Sequence, residues 1–232
     1  MPSYSGTFTL PAQMQAIAAD NWPSPPLVLA IGDAYAGGFY AGQISTTANG
    51  VATHNLVVGP LASAQSTLAM RNPGATIPGA DSVIDGPQNT ADMVSDGSST
   101  VYPAAHFCNN LTVASYTDWY MPAKNELEVC YYNLKPTTVN NNFDSGSGIN
   151  PNAVPARASG YTTGTPAQTS AANFVISTGA EPFQNNRYWT STESGPVLGF
   201  SSGWAGDFYN GQQTKYTKIY PIRVRAIRRV AV

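Results

Sequence analysis

The strongest constraint on the fold lies in residues 116–132, where the aromatic run Asp118-Trp119-Tyr120-Met121 passes directly into a helix signal. Pro122 suits a first helical position, since the N–H it lacks would have had no intrahelical partner. Leu127, Cys130, Tyr131 and Leu134 follow at i, i+3, i+4 and i+7, one face of a helix from about Pro122 to Leu134. Lys124, Asn125 and Glu128 fall mostly on the other face, and Lys135-Pro136 stops the helix. Trp119 is expected to fill a core beneath the helix entry. An amphipathic helix and a core Trp carry no chemistry by themselves.

Composition narrows the class. With 232 residues, 42% of them hydrophobic, the chain can bury a sizeable core. Charged residues make up only 10%, where ordinary soluble domains carry about 25%. Ser, Thr, Asn, Gly and Pro replace them, giving a polar but nearly uncharged surface of the kind found on extracellular and virion proteins. A net charge of −2 offers no global attraction for nucleic acid or an acidic membrane. The cations are clustered: none precedes Arg71, and Lys215, Lys218, Arg223, Arg225, Arg228 and Arg229 supply six of the eleven. Because Ile222, Val224 and Ala226 alternate with Arg223 and Arg225, a half-buried strand with a basic outer face is expected there. Cys108 and Cys130 read as buried free thiols.

Along the chain, residues 1–26 read as an N-terminal arm and linker. Ser3–Leu10 alternates weakly, Pro11–Ala19 allows a short helix, and Pro23-Ser24-Pro25-Pro26 is stiff and extended. So short a helix must pack on its own domain or on a neighbouring subunit. The N-terminus lacks a basic n-region, and Leu27–Ile31 is too short for a signal core or a membrane span, so no export signal and no membrane insertion are expected. Residues 27–232 read as one domain. Leu27–Ile31 looks like a buried strand, and Asn49-Gly50 separates strands at Tyr40–Thr47 and His54–Val58. Short helices are expected around Asn89–Val94 and Tyr102–Leu111. Residues 136–187 read as a long surface-loop insertion with one strand-like triplet, Phe174-Val175-Ile176. Strands near Trp204–Tyr209 and Tyr216–Tyr220 are joined by Asn210-Gly211, and Ile222–Val230 closes the chain as a central strand.

Four ordered stretches, Gly32-Asp33-Ala34-Tyr35-Ala36-Gly37-Gly38, the Tyr116–Tyr132 run, Tyr188-Trp189-Thr190-Ser191-Thr192-Glu193 and Arg223-Val224-Arg225-Ala226-Ile227-Arg228, resemble the signature of the Lcl-type C-terminal domain family. The resemblance covers roughly residues 30–230. It implies an α+β, C-type-lectin-like domain of twisted antiparallel sheets with two or three short helices, as found in bacterial surface proteins and phage tail and fibre proteins. One position departs: the family has Ser or Thr after the proline, and this chain has Ala123. A lost N-cap costs about 1 kcal/mol.

No catalytic constellation emerges. His54 and His106 lack ligands at metal spacing, no Gly-x-Ser-x-Gly motif occurs, and Glu126 and Glu128, two apart on a helix, diverge. Lectins of the implied fold hold calcium with Glu-Pro-Asn and Trp-Asn-Asp. Here Glu181-Pro182-Phe183 and Trp204-Ala205-Gly206-Asp207 both lack the Asn. Neither enzyme activity nor a cofactor or metal is therefore expected. What remains is recognition. Trp204, Tyr209, Asn210, Gln212, Gln213 and Tyr216 combine aromatic area with adaptable amides, as paratopes do, although Trp204 and Phe208 also suit a core. With the resemblance, this implies a phage virion protein, a receptor-binding adhesin of a tail fibre or tail tip. The alternative is a structural decoration or fibre protein of the capsid or tail. Expected partners are other virion proteins through the arm, a host-surface glycan or protein receptor, and further copies in a homo-oligomer.

Overall fold

A computed structural model of the chain describes residues 28–73, 75–143, 146–197 and 200–232. The arm expected over residues 1–26 lies outside them. The chain is mixed α+β, mostly sheet with few helices, as expected at that level.

The strands are β1 Ala34–Tyr35, β2 Gly38–Ile44, β3 His54–Val58, β4 Gln65–Leu68, β5 Ala153–Val154, β6 Arg187–Val197, β7 Phe200–Asp207, β8 Gln213–Thr217, β9 Ile222–Arg225 and β10 Ile227–Ala231. The helices are α1 Leu61–Ala64, α2 Gly86–Asp96, α3 Pro103–Asn109 and α4 Lys124–Leu134, with a 3-10 turn at Ala172–Phe174. One sheet runs β1-β2-β3-β10, with β5 also on β2, and the other runs β4-β9-β6-β7-β8. All pairings are antiparallel except the single parallel step between β6 and β9. The chain passes between the sheets four times, and its two shortest crossings, through α1 and through Ala226, are tied together by Ala226 N–H to the Ala64 carbonyl at 2.8 Å.

Helix α4 lies against both sheets, touching β2 and β3 on one side and β6 and β7 on the other. Leu127, Cys130, Tyr131 and Leu134 are buried as their spacing requires. The opposite face is not solvated, however: Asn125, Glu126 and Glu128 are buried as well. The helix starts two residues later than expected, so Pro122 precedes the cap instead of opening the first turn. Two tertiary acceptors and the helix's own Glu126 replace the missing Ser/Thr cap. Thr192 Oγ1 takes the Lys124 N–H at 2.9 Å, the Val83 carbonyl takes that of Asn125 at 2.8 Å, and Glu126 Oε2 takes that of Ala123 at 2.8 Å.

Three other expectations need correction. Residues 28–31 form no strand, and Val28 is exposed, so the apolar run there opens onto the first hairpin without joining a sheet. The strand expected over Ile222–Val230 is two strands in different sheets, one interior and one at an edge. Its arginines do not form a basic outer face: Arg225 and Arg228 are buried, Arg225 paired with Glu181 and Arg228 with the exposed Asp118. Residues 136–187 carry little regular structure, yet they are not a peripheral loop. Phe174, Phe183 and Tyr161 from this segment join the main core, where Phe183 stacks on Phe208 at 3.9 Å. Phe174 ends a 3-10 turn rather than starting a strand.

Candidate functional site

Distant parts of the sequence meet at the start of α4 and make a rigid platform. The β1–β2 hairpin turns through Ala36 and Gly37, both left-handed at φ 45° and 85°, as a two-residue turn with strand-matched twist requires. Arg228 fastens that turn, donating Nη1 to the Ala36 carbonyl at 2.9 Å. The same guanidinium grips Asp118 with Nε and Nη2 at 2.7 and 2.8 Å and lies 3.8 Å from the Tyr116 ring centre. Its neighbour Arg229 donates Nε to Glu126 Oε1 at 2.7 Å. Tyr120 donates to that carboxylate oxygen at 2.5 Å, and the Gly86 amide reaches Oε2 at 3.2 Å. From β6, the Ser191 amide donates to the Pro122 carbonyl at 2.7 Å. Burial pushes the Glu126 carboxyl up, while Arg229, Tyr120 and the Ala123 amide pull it back down.

Farther along α4, the Asn210-Gly211 turn expected to serve recognition is stitched to the first part of the 136–187 segment, giving one loop face. The Asn142 amide donates to the Asn210 carbonyl at 2.7 Å, and Thr137 Oγ1 donates to the Tyr209 carbonyl at 3.3 Å. The Gln213 amide donates to Ser147 Oγ at 3.1 Å, and Gln213 Oε1 accepts the Gly148 amide at 3.3 Å. Gly211, at φ 78°, lets this turn sit directly against Tyr131, whose ring a Cβ there would approach to 2.4 Å. Three apolar side chains stand out of the stitched loops: Phe143, Ile149 and Tyr209, at 68%, 43% and 48% exposure. The reading of the sequence did not single out Phe143 or Ile149. The signal available was an apolar residue flanked by the Asn140–Asn142 run and by Gly146 and Gly148.

The expected site residues do not all share this face. Tyr209, Asn210 and Gln213 belong to it, and Gln212 is held in the turn by Asn210 Oδ1 at 3.2 Å. Trp204 is half-buried on β7, its ring 4.2 Å from Lys124 Nζ and 5.7 Å from Lys215 Nζ. Tyr216 points the other way. Lys215 is the cross-strand partner of Trp204, so the next residue lies on the opposite side of the sheet. There Tyr216 packs 5.9 Å from Trp189 and from Tyr220, with Arg187 above it at 5.3 Å. Phe208 is wholly buried.

The buried carboxylates are committed to cations. Glu181 pairs with Arg225 at 2.7 Å, Glu193 with Lys218, Glu128 with Arg157 and Glu126 with Arg229, while Asp118, the partner of Arg228, is exposed. Glu126 and Glu128 do diverge, since Glu128 also accepts from Tyr161 at 2.7 Å and Asn150 at 2.6 Å on the far side of the helix. Burial pushes Arg225 down to about 10 despite its partner. Among the described residues no cluster of three His, Cys, Asp or Glu could hold a metal, and no helix is long and apolar enough to cross a membrane. Neither a family model nor a curated protein sequence matches this chain.

Proposed function

We propose that this chain is a recognition domain of the Lcl-type, C-type-lectin-like group, and that it serves a phage virion as a receptor-binding adhesin on a tail fibre or tail tip. The observation that carries the reading is the stitched loop face. Exposed Phe143, Ile149 and Tyr209 sit on polar loops fixed by cross-loop hydrogen bonds, so contact area is presented already ordered. Preorganisation of this kind lowers the entropic cost of binding. The family proposal draws support from the convergence of its four stretches at Arg228, Asp118, Ala36, Glu126 and Ser191. A binding rather than catalytic role is supported by the use of Glu126, Glu128, Glu181 and Glu193, which hold cations of the framework. Residues 1–26 would attach the domain to other virion proteins, and further copies would assemble with it.

The test is direct binding of the labelled full chain to a panel of bacterial cells. Phe143→Ser combined with Tyr209→Ala should reduce binding at least tenfold at an unchanged melting temperature. Undiminished binding by that variant removes the face from the role. Absence of any cell binding, together with this face buried between subunits of an assembled particle, would assign the chain to virion decoration.

A further inference from the structure

The chain contains two Asn-Gly dipeptides, Asn49-Gly50 and Asn210-Gly211, and they sit in opposite surroundings. An Asn followed by Gly is open to a reaction that needs no enzyme. The glycine amide nitrogen attacks the side-chain carbonyl carbon, because no Cβ on the second residue stands in the way. The attack is favoured by a nitrogen free of hydrogen bonds, by donors on the side-chain oxygen, and by room for the turn to move. Asn49-Gly50 meets all three conditions. It lies in the loop from β2 to β3, where residues 46–51 are exposed. Among the described residues the Gly50 amide has no acceptor, and a Cβ at Gly50 would meet nothing within 4 Å. Asn49 Oδ1 accepts from Ser45 Oγ at 3.0 Å and from the Val51 amide at 2.9 Å. Both donors face the oxygen on which negative charge develops, as in an oxyanion hole.

Asn210-Gly211 fails the first and the third. The Gly211 amide donates to the Asp207 carbonyl at 2.7 Å, and the Asn142 amide holds the Asn210 carbonyl at 2.7 Å. Gly211 is buried against Tyr131, and Asn210 Oδ1 has a single donor, the Gln212 amide at 3.2 Å. We infer that Asn49-Gly50 is a self-modification site that loses its side-chain amide through a cyclic succinimide, whereas the Asn210-Gly211 turn of the loop face is protected. The Gly50 nitrogen gives its proton to solvent and bonds to Asn49 Cγ. The bond from Cγ to Nδ2 breaks, and Nδ2 leaves as ammonia after taking a proton from water. Water then opens the ring at either carbonyl, giving aspartate or isoaspartate. One water enters and one ammonia leaves, with no oxidant or reductant. The product places a carboxylate in residues 46–53, a loop without a charged residue. This inference does not rest on the adhesin reading.

Peptide mapping by mass spectrometry tests it on the full chain, incubated at neutral and at mildly alkaline pH. Chymotryptic cleavage after Tyr40, Leu56, Tyr209 and Tyr216 places Asn49 and Asn210 in the separate peptides 41–56 and 210–216. Conversion at Asn49 should run at least tenfold faster than at Asn210, rise with pH as the Gly50 nitrogen loses its proton, and give isoaspartate alongside aspartate. Ser45→Ala removes one donor to Asn49 Oδ1 and keeps the backbone bonds to Asn152, so it should slow the reaction threefold or more. In guanidinium the two sites should convert at similar rates, since the fold makes the difference. Native Asn49 no faster than native Asn210, aspartate without isoaspartate, a rate undiminished in Ser45→Ala, or a tenfold difference that persists in guanidinium would overturn the inference.

Discussion

Replacing Glu126 tests whether the platform at the start of α4 is held by its buried ion pair. In Glu126→Ala, Arg229 keeps its charge at a site where its side chain is 13% exposed, and the removed partner had no exposure at all. Removing one member of such a pair costs about 3–5 kcal/mol. The Ala123 and Gly86 amides and the Tyr120 hydroxyl lose the same acceptor, and a buried donor left unpaired costs about 1–3 kcal/mol. Asp85, 3.7 Å from Arg229 Nη1, offsets part of this, so the expected loss is about 5 kcal/mol. That is a third or more of a domain's usual stability of about 5–15 kcal/mol. Guanidinium unfolding followed by tryptophan fluorescence measures it, because Trp119 is buried beside this region. Glu126→Leu with Arg229→Met should recover the part of the loss that comes from the stranded charge, about 3 kcal/mol or more, while the Ala123 and Gly86 amides and the Tyr120 hydroxyl stay without their acceptor. A loss below about 1 kcal/mol, or a double variant no more stable than Glu126→Ala, would refute the reasoning.

Two further expectations concern the fold. Leu127→Ala should cost about 2–5 kcal/mol, because the side chain is 2% exposed between α4 and β7, and an unchanged unfolding midpoint would remove the helix from the core. Stability should also fall as pH rises above about 9. Burial pushes the thiols of Cys108 and Cys130 and the phenols of Tyr120 and Tyr161 up, so the unfolded chain releases those protons first, each contributing about 1.4 kcal/mol per pH unit once ionised there. Burial pushes Lys124, Lys135 and Lys218 down, which acts in the opposite direction but through fewer groups. Melting temperatures flat between pH 8 and 10.5 would contradict this.

What could be read from the sequence was what repeats locally. The apolar face of α4 has a helical period, and Asn49-Gly50 and Asn210-Gly211 mark hairpins because few residues accept those turn geometries. The arginines were misread because alternation assigns a side chain to one side of a strand without saying what waits there. Asp118 lies 110 residues before Arg228, and Glu126 lies 103 before Arg229, too far for any local pattern to announce the pairing. Residues 136–187 were misread for a related reason. Their order comes from single side chains gripping backbone: Asn141 on three carbonyls, Asn152 on the Ser45 carbonyl at 2.8 Å, and Lys135 on the Pro166 carbonyl at 3.1 Å. Such contacts have no period. The loop face was half legible, because Tyr209 and Asn210 lie at a recognisable turn, while Phe143 and Ile149 reach it only through long-range stitching.

The distribution of charge leads to one more test. Only 10% of the residues are charged, and five ion pairs draw cations inward: Arg157, Lys218, Arg225 and Arg229 with their carboxylates, and Arg228 with the exposed Asp118. The outer surface is left poorer in charge than the composition suggests. The stitching itself uses Thr137, Asn142, Ser147, Gly148, Asn210 and Gln213, none of them charged. A partner recognised by such a face gains little from long-range attraction, which salt would screen over about 10 Å at 0.1 M. It is held instead by apolar contact and short neutral hydrogen bonds, which salt affects weakly. Binding to cells at 50 mM and at 500 mM sodium chloride should therefore differ by less than about threefold, with the association rate similarly unaffected. A loss of tenfold or more at high salt would mean that charged groups carry the contact. The place to look would then be the other side of the β7–β8 hairpin, where Arg187 lies over Tyr216.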